Sequence, residues 1–187
     1  MKSVLICDDE AVIRMIMVKK LKDLGFDEVI ECRDGEAAVR LALEKQPDIA
    51  ILDVSMPKMD GIKAAAEIRK KLKIPIIIAT AFYDPETVKR AAKTGVVAFL
   101  TKPVRDQDLW PAIELAFAKA YEVELLKGQV EDLQETIESR KVIEKAKGVL
   151  MKSLKLSEPE AFRRMQKLAM DKRKSMKEIA DAILMTE

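Results

Sequence analysis

Four short apolar runs in this chain each end on a residue able to do chemistry. Val4-Leu5-Ile6-Cys7 leads into Asp8 and Asp9, Ile49-Ala50-Ile51-Leu52 into Asp53, Ile76-Ile77-Ile78-Ala79 into Thr80, and Ala98-Phe99-Leu100-Thr101 into Lys102. Short aliphatic runs bounded by turn formers, as Pro47-Asp48 and Ser55-Met56-Pro57 bound the Asp53 run, read as buried strands. In an open parallel sheet the carboxyl ends of the strands share one edge, so the four groups are expected to converge on Asp53. Two adjacent carboxylates facing a third cannot all stay ionised in one pocket without a cation. The hard divalent ion that suits carboxylates, waters and a phosphate is Mg2+. A lysine and a hydroxyl beside the metal complete a phosphoryl-transfer site, where the protein's work is positioning and charge neutralisation.

Composition narrows the alternatives. The chain has 187 residues and no histidine, which removes Ser/His/Asp triads, His-ligated metals and phosphohistidine chemistry on this chain. It has no Gly-rich Walker loop. Cys7 and Cys32 lack metal-ligand spacing and read as small strand residues. No apolar stretch approaches the roughly 20 residues of a membrane span. Met1-Lys2-Ser3 enters a strand without a signal-peptide pattern, so a cytoplasmic protein is expected. The net charge of +2 conceals an asymmetry: residues 1–138 hold 21 Lys and Arg against 25 Asp and Glu, whereas residues 139–187 hold 13 against 7. The tail is the basic part.

The elements that must position the strand-end groups follow in order. Residues 11–24 carry apolar Val12, Met15, Ile16, Val18 and Leu21 as a helical stripe, closed by Gly25. Glu28 to Cys32 is a second strand, and residues 35–45 form a helix with Ala37, Ala38, Leu41 and Ala42 inward, stopped by Pro47. A third helix spans residues 61–72. Asp84 is an N-cap before Pro85 at the first helical position, and Gly95 follows that helix. Five strand-helix units in about 120 residues imply a flavodoxin-like, doubly wound α/β fold with a five-stranded parallel sheet.

Asp106 is read as the N-cap of a fifth helix, with no stop signal before Leu156-Ser157; Gly128 weakens it by about 1 kcal/mol, which a long helix can carry. Within it Val123, Leu126, Val130, Leu133 and Ile137 alternate at spacings of three and four, the seam of a coiled coil, which favours a homodimer. A capping box at Ser157-Glu158-Pro159-Glu160 opens a helix to about Met170, with Ala161, Met165, Leu168 and Ala169 on one face and Phe162 expected in the core. A second box, Ser175-Met176-Lys177-Glu178, opens a last helix with Ile179, Ala182 and Ile183 inward. A long coiled-coil helix and a small three-helix bundle thus follow the sheet.

Taken together, Asp8-Asp9, Asp53 followed by Met56-Pro57 and Asp60-Gly61, Thr80-Ala81 and Lys102-Pro103 resemble the signature of response-regulator receiver domains, over residues 1–120. The resemblance implies that Asp53 accepts a phosphoryl group from a sensor histidine kinase. It implies that Asp8, Asp9, Asp53 and the backbone carbonyl of Ser55 hold Mg2+, that Lys102 pairs with the phosphoryl group, and that Thr80 bonds it and moves with it. Phe99 corresponds to the switch aromatic. The bond before Pro103 is a candidate cis peptide.

Residues 134–187 resemble the ANTAR domain, an RNA-binding module of transcription antiterminators, through Ala146-Lys147-Gly148-Val149-Leu150-Met151, Glu160-Ala161-Phe162 and Leu168-Ala169-Met170-Asp171. This implies phosphorylated dimers, joined through a linker helix over residues 113–139, that hold RNA hairpins so that a terminator cannot form. Lys147, Arg163, Arg164, Lys167, Lys172, Arg173 and Lys174 are the candidate RNA contacts. The competing readings are a DNA-binding response regulator and a receiver with a protein-interaction output. On none of these three readings is the chain expected to be an enzyme.

Overall fold

The structure is a computed structural model that describes residues 2–81 and 84–185. It divides into two units, Met1–Glu124 and Leu125–Glu187. The first alternates β1 (Ser3–Cys7), α1 (Ala11–Asp23), β2 (Glu28–Cys32), α2 (Gly35–Lys45), β3 (Ile49–Asp53), α3 (Gly61–Lys71), β4 (Ile76–Thr80), α4 (Pro85–Thr94) and β5 (Ala98–Thr101). The strands form one parallel sheet in the order β2-β1-β3-β4-β5. Chain order reverses between β1 and β3, which makes the carboxyl ends of these two strands the place for a site.

The alternation of side chains along the central strands divides the core in two. Val4, Ile6, Ile49, Ile51 and Ile77 pack with Met17 and Leu21 of α1 and, on the same layer, with Leu109, Ile113 and Ala116. Leu5, Cys7, Ala50, Leu52, Ile76 and Ile78 pack with Ala38 and Ala42 of α2 and Ala64, Ala65 and Ile68 of α3. Because both faces of the sheet are covered, β3 and β4 are buried at every residue, and their sequences are continuous apolar runs.

Local signals set most boundaries. Asp34, Asp60 and Asp84 cap α2, α3 and α4 by accepting backbone N–H groups, and Gly95 ends α4 in the left-handed region. The apolar stripe of α1 is different. Val12, Met15 and Ile16 are exposed, and Met17 and Leu21 face the sheet. The helix is apolar on several sides, so spacing alone did not select the buried one.

The long helix α5 (Asp106–Leu154) is one element of 49 residues. Asp106 is its first residue rather than its cap, and the Asp106 carboxylate accepts from Lys20 Nζ at 2.6 Å. In the second unit α6 (Glu158–Lys172) and α7 (Met176–Leu184) each begin with the capping box read from the sequence. Their core is Ala146, Leu150, Ala161, Met165, Ala169, Ile179 and Ala180. Ala180 rather than Ala182 faces inward, and Phe162 lies outside the core with 39% of its surface exposed. Among the described residues, no helix is long and apolar enough to cross a membrane.

Candidate functional site

Asp8 follows β1 directly and Asp53 ends β3, the two strands that meet at the switch point. Lys102 follows β5, and its backbone N–H donates to the Thr80 carbonyl at the end of β4. From there Lys102 Nζ reaches Asp8 Oδ2 at 2.6 Å and Asp53 Oδ2 at 2.7 Å. All three side chains are nearly closed to water. The peptide bond between Lys102 and Pro103 is cis, the isomer for which it was a candidate. Thr80 is buried beside this edge, and Phe99 is half-buried against the second core layer.

The electrostatics are those of a crowded anionic pocket. Burial raises the Asp53 carboxyl above its ordinary value, opposed by the hydrogen bond and charge of Lys102; Asp8 adds to the rise, and the Ser55 backbone N–H opposes it. Burial would lower the Lys102 ammonium, but its bonds to Asp53 and Asp8 outweigh that and raise it. Asp9 is exposed at the mouth. Asp8, Asp9 and Glu10 bring carboxylate oxygens within 4.8 Å of one another. One ammonium cannot balance these carboxylates, and hard oxygen donors with a surplus of negative charge fit a small divalent cation.

The backbone around Asp53 is closely set. A Cβ on Gly61 would run into the Asp53 carbonyl oxygen, so only glycine lets the start of α3 approach the strand end. Gly61 N–H donates to the Val54 carbonyl.

Three residues of this region escaped the sequence reading. Glu10 joins the carboxylate cluster, a place its position after Asp8-Asp9 could have signalled. Arg14 Nη1 donates to the Asp8 carbonyl at 2.7 Å and the Asp9 carbonyl at 3.2 Å, fixing the turn that presents both carboxylates. Lys58, with φ 64°, ties the loop after β3 to Asp34, Nζ to Oδ2 at 2.8 Å. No spacing rule pairs Lys58 with Asp34.

In the second unit, Leu126, Val130, Leu133 and Ile137 are all more than half exposed, a row of large apolar side chains along α5; Val123, in the first unit, is partly covered. Arg163, Arg164 and Lys167 are exposed on α6, and Lys172, Arg173 and Lys174 are exposed at the turn after it. Lys147 departs from the free cation expected of an RNA contact. Its side chain is 9% exposed and is held by Glu144 Oε1 at 2.8 Å and Glu158 Oε1 at 2.7 Å, which raises its pKa. It ties α5 to the start of α6.

Comparison with known proteins agrees with this geometry. Residues 4–114 match the model of the response regulator receiver domain and residues 131–184 that of the ANTAR domain. The transcriptional regulatory protein PdtaR of Mycobacterium tuberculosis is 45% identical over 185 residues, 99% of this chain and 90% of that protein. The receiver domain of a modulated diguanylate cyclase from Desulfovibrio desulfuricans superposes with a TM-score of 0.59 at 34% identity, covering 64% of this chain and 95% of that one. The receiver domain of the histidine kinase CKI1 from Arabidopsis thaliana, solved in complex with Mg2+ and BeF3−, gives 0.53 at 29% identity, covering 60% of this chain and 90% of that one. A receiver match over more than half of the chain and a relative similar along nearly its whole length lead to one conclusion: the chain belongs to the response regulators, with an N-terminal receiver domain and a C-terminal ANTAR domain.

Proposed function

We propose that this chain is a phosphorylation-controlled antiterminator: phosphorylation of Asp53 controls the binding of RNA hairpins by the basic tail. The observation that carries the reading is the pair of contacts from Lys102 Nζ to Asp53 and Asp8 at the sheet's switch point. Asp53 presents a carboxylate oxygen to the phosphorus of a phosphohistidine on a sensor histidine kinase, and the N–P bond breaks as the O–P bond forms. Lys102 orients the acceptor carboxylate and neutralises charge on the incoming phosphoryl oxygens. Asp8, Asp9, Asp53 and the Ser55 carbonyl would hold Mg2+, which would supply further charge neutralisation for the transfer. Thr80 bonds the phosphoryl group and Phe99 turns with it.

The output is RNA. Residues 1–120 act as receiver, 113–139 as dimer linker and 134–187 as the RNA-binding domain. Val123, Leu126, Val130, Leu133 and Ile137 form the homodimer seam, and Arg163, Arg164, Lys167, Lys172, Arg173 and Lys174 meet phosphates. Binding a pair of leader hairpins keeps a terminator hairpin from forming.

The test is binding of a two-hairpin leader RNA against duplex DNA of matched charge at stated salt, with and without phosphorylation of Asp53. RNA-selective binding that strengthens on phosphorylation is the expected result. DNA preference, or weak binding to both polymers with no response to phosphorylation, would overturn it.

A further inference from the structure

Phe162 is the only aromatic residue between Leu125 and Glu187. An apolar ring in so small a unit would ordinarily be spent on the core, which is built here from alanine, methionine and aliphatic side chains. Instead Phe162 keeps 39% of its surface in water. The ring does not stand loose. Lys147 Nζ lies over it, 5.9 Å from the centroid, and that ammonium is fixed by Glu144 on its own helix and Glu158 on α6. Glu158 is four residues before Phe162, one helical turn away, so the clamp and the ring share a side of α6. Arg163 and Arg164 follow the ring directly, and both are exposed.

From this arrangement we infer that Phe162 is a stacking platform for an unpaired base of an RNA loop. The inference rests on the RNA-binding reading above and assigns its base-contacting residue. RNA loops are recognised largely by stacking of splayed bases on aromatic rings. The adjoining cations suit a polyanion rather than an apolar protein surface, and the Lys147 clamp holds the ring in place before binding, so little side-chain freedom is lost when a base arrives. Lys147 thereby acts as a positioning residue beneath the platform, which accounts for its burial between two carboxylates.

The experiment uses the full chain, with and without phosphorylation, and a pool of RNA hairpins with a common stem and a randomised loop. Loops selected by the native protein are then tested against Phe162→Leu, which keeps apolar bulk, and Phe162→Trp, which keeps a ring; thermal unfolding checks that both fold. Phe162→Leu is expected to weaken binding roughly five-fold to a hundred-fold, and Phe162→Trp to retain it. An abasic nucleotide at one loop position is expected to cost the native protein the same factor and to cost Phe162→Leu nothing further. Equal binding by native protein and Phe162→Leu would overturn the platform and leave RNA binding standing, as would a loss that couples to no loop position. If the native protein selects no hairpin over charge-matched duplex, the RNA reading and the platform fall together.

Discussion

The Lys102 ammonium lies 2.7 Å from the Asp53 carboxylate, and the same nitrogen reaches Asp8 at 2.6 Å. Three side chains from the ends of β1, β3 and β5 are thereby joined in a pocket nearly closed to water. One positive charge between two buried carboxylates leaves the pocket anionic, which sets how it responds to protons and cations.

The first consequence concerns pH. Burial raises the Asp53 carboxyl above the ordinary aspartate value of about 3.9, despite Lys102. The native state therefore holds this proton more tightly than the unfolded chain does. Stability from this group is greatest at low pH and falls as pH rises from about 4 through the folded value. In EDTA, the melting temperature of Asp53→Asn minus that of the native protein is expected to grow across this window. A difference that does not change with pH would contradict the raised pKa.

A second expectation concerns Gly61. Because an added methyl would strike the Asp53 carbonyl, Gly61→Ala is expected to cost roughly 1–3 kcal/mol. It is also expected to slow phosphoryl uptake at Asp53 by shifting the strand end. Chemical denaturation gives the first effect and phosphate-affinity gel electrophoresis after treatment with acetyl phosphate the second. Native stability and native uptake together would show that the loop yields freely.

The exposed row on α5 predicts an oligomerisation phenotype without a folding phenotype. Leu133 and Ile137 are 62% and 52% exposed, so replacing both with lysine removes little burial within the chain. Analytical ultracentrifugation is expected to show loss of a phosphorylation-dependent dimer with circular dichroism unchanged. Equal mass for native and variant protein in both phosphorylation states would remove this stretch as the seam.

The basic tail separates two kinds of cation. Arg163→Ala is expected to lower the salt dependence of RNA binding by about 0.7 of a counterion and leave the melting temperature unchanged. Lys147→Ala is expected to lower the melting temperature of the tail unit, because it leaves Glu144 and Glu158 without their shared partner. Salt titrations and thermal scans on both variants distinguish the roles. A Lys147→Ala protein that melts normally and loses salt dependence would return Lys147 to the set of direct contacts.

Residue type and spacing alone determined the alternating strands and helices, the polar group at each strand end and the two capping boxes. These depend on local physics: Pro47 and Gly95 lie just past the ends of α2 and α4, a short Ser or Asp side chain caps a helix, and a buried parallel strand must be apolar throughout. Tertiary structure alone decided which side of α1 is buried, because Val12, Met15 and Ile16 are as apolar as Met17 and Leu21 and only the sheet chooses between them. It also decided that Lys147 is ion-paired and Phe162 exposed. The charge of one and the hydrophobicity of the other are properties of the residue, but burial and partnership depend on what a neighbouring helix brings, here Glu158 to Lys147 and Lys147 to the Phe162 ring. For the same reason the contacts of Lys102 with Asp8 and Asp53 exist only once the strands are ordered in the sheet.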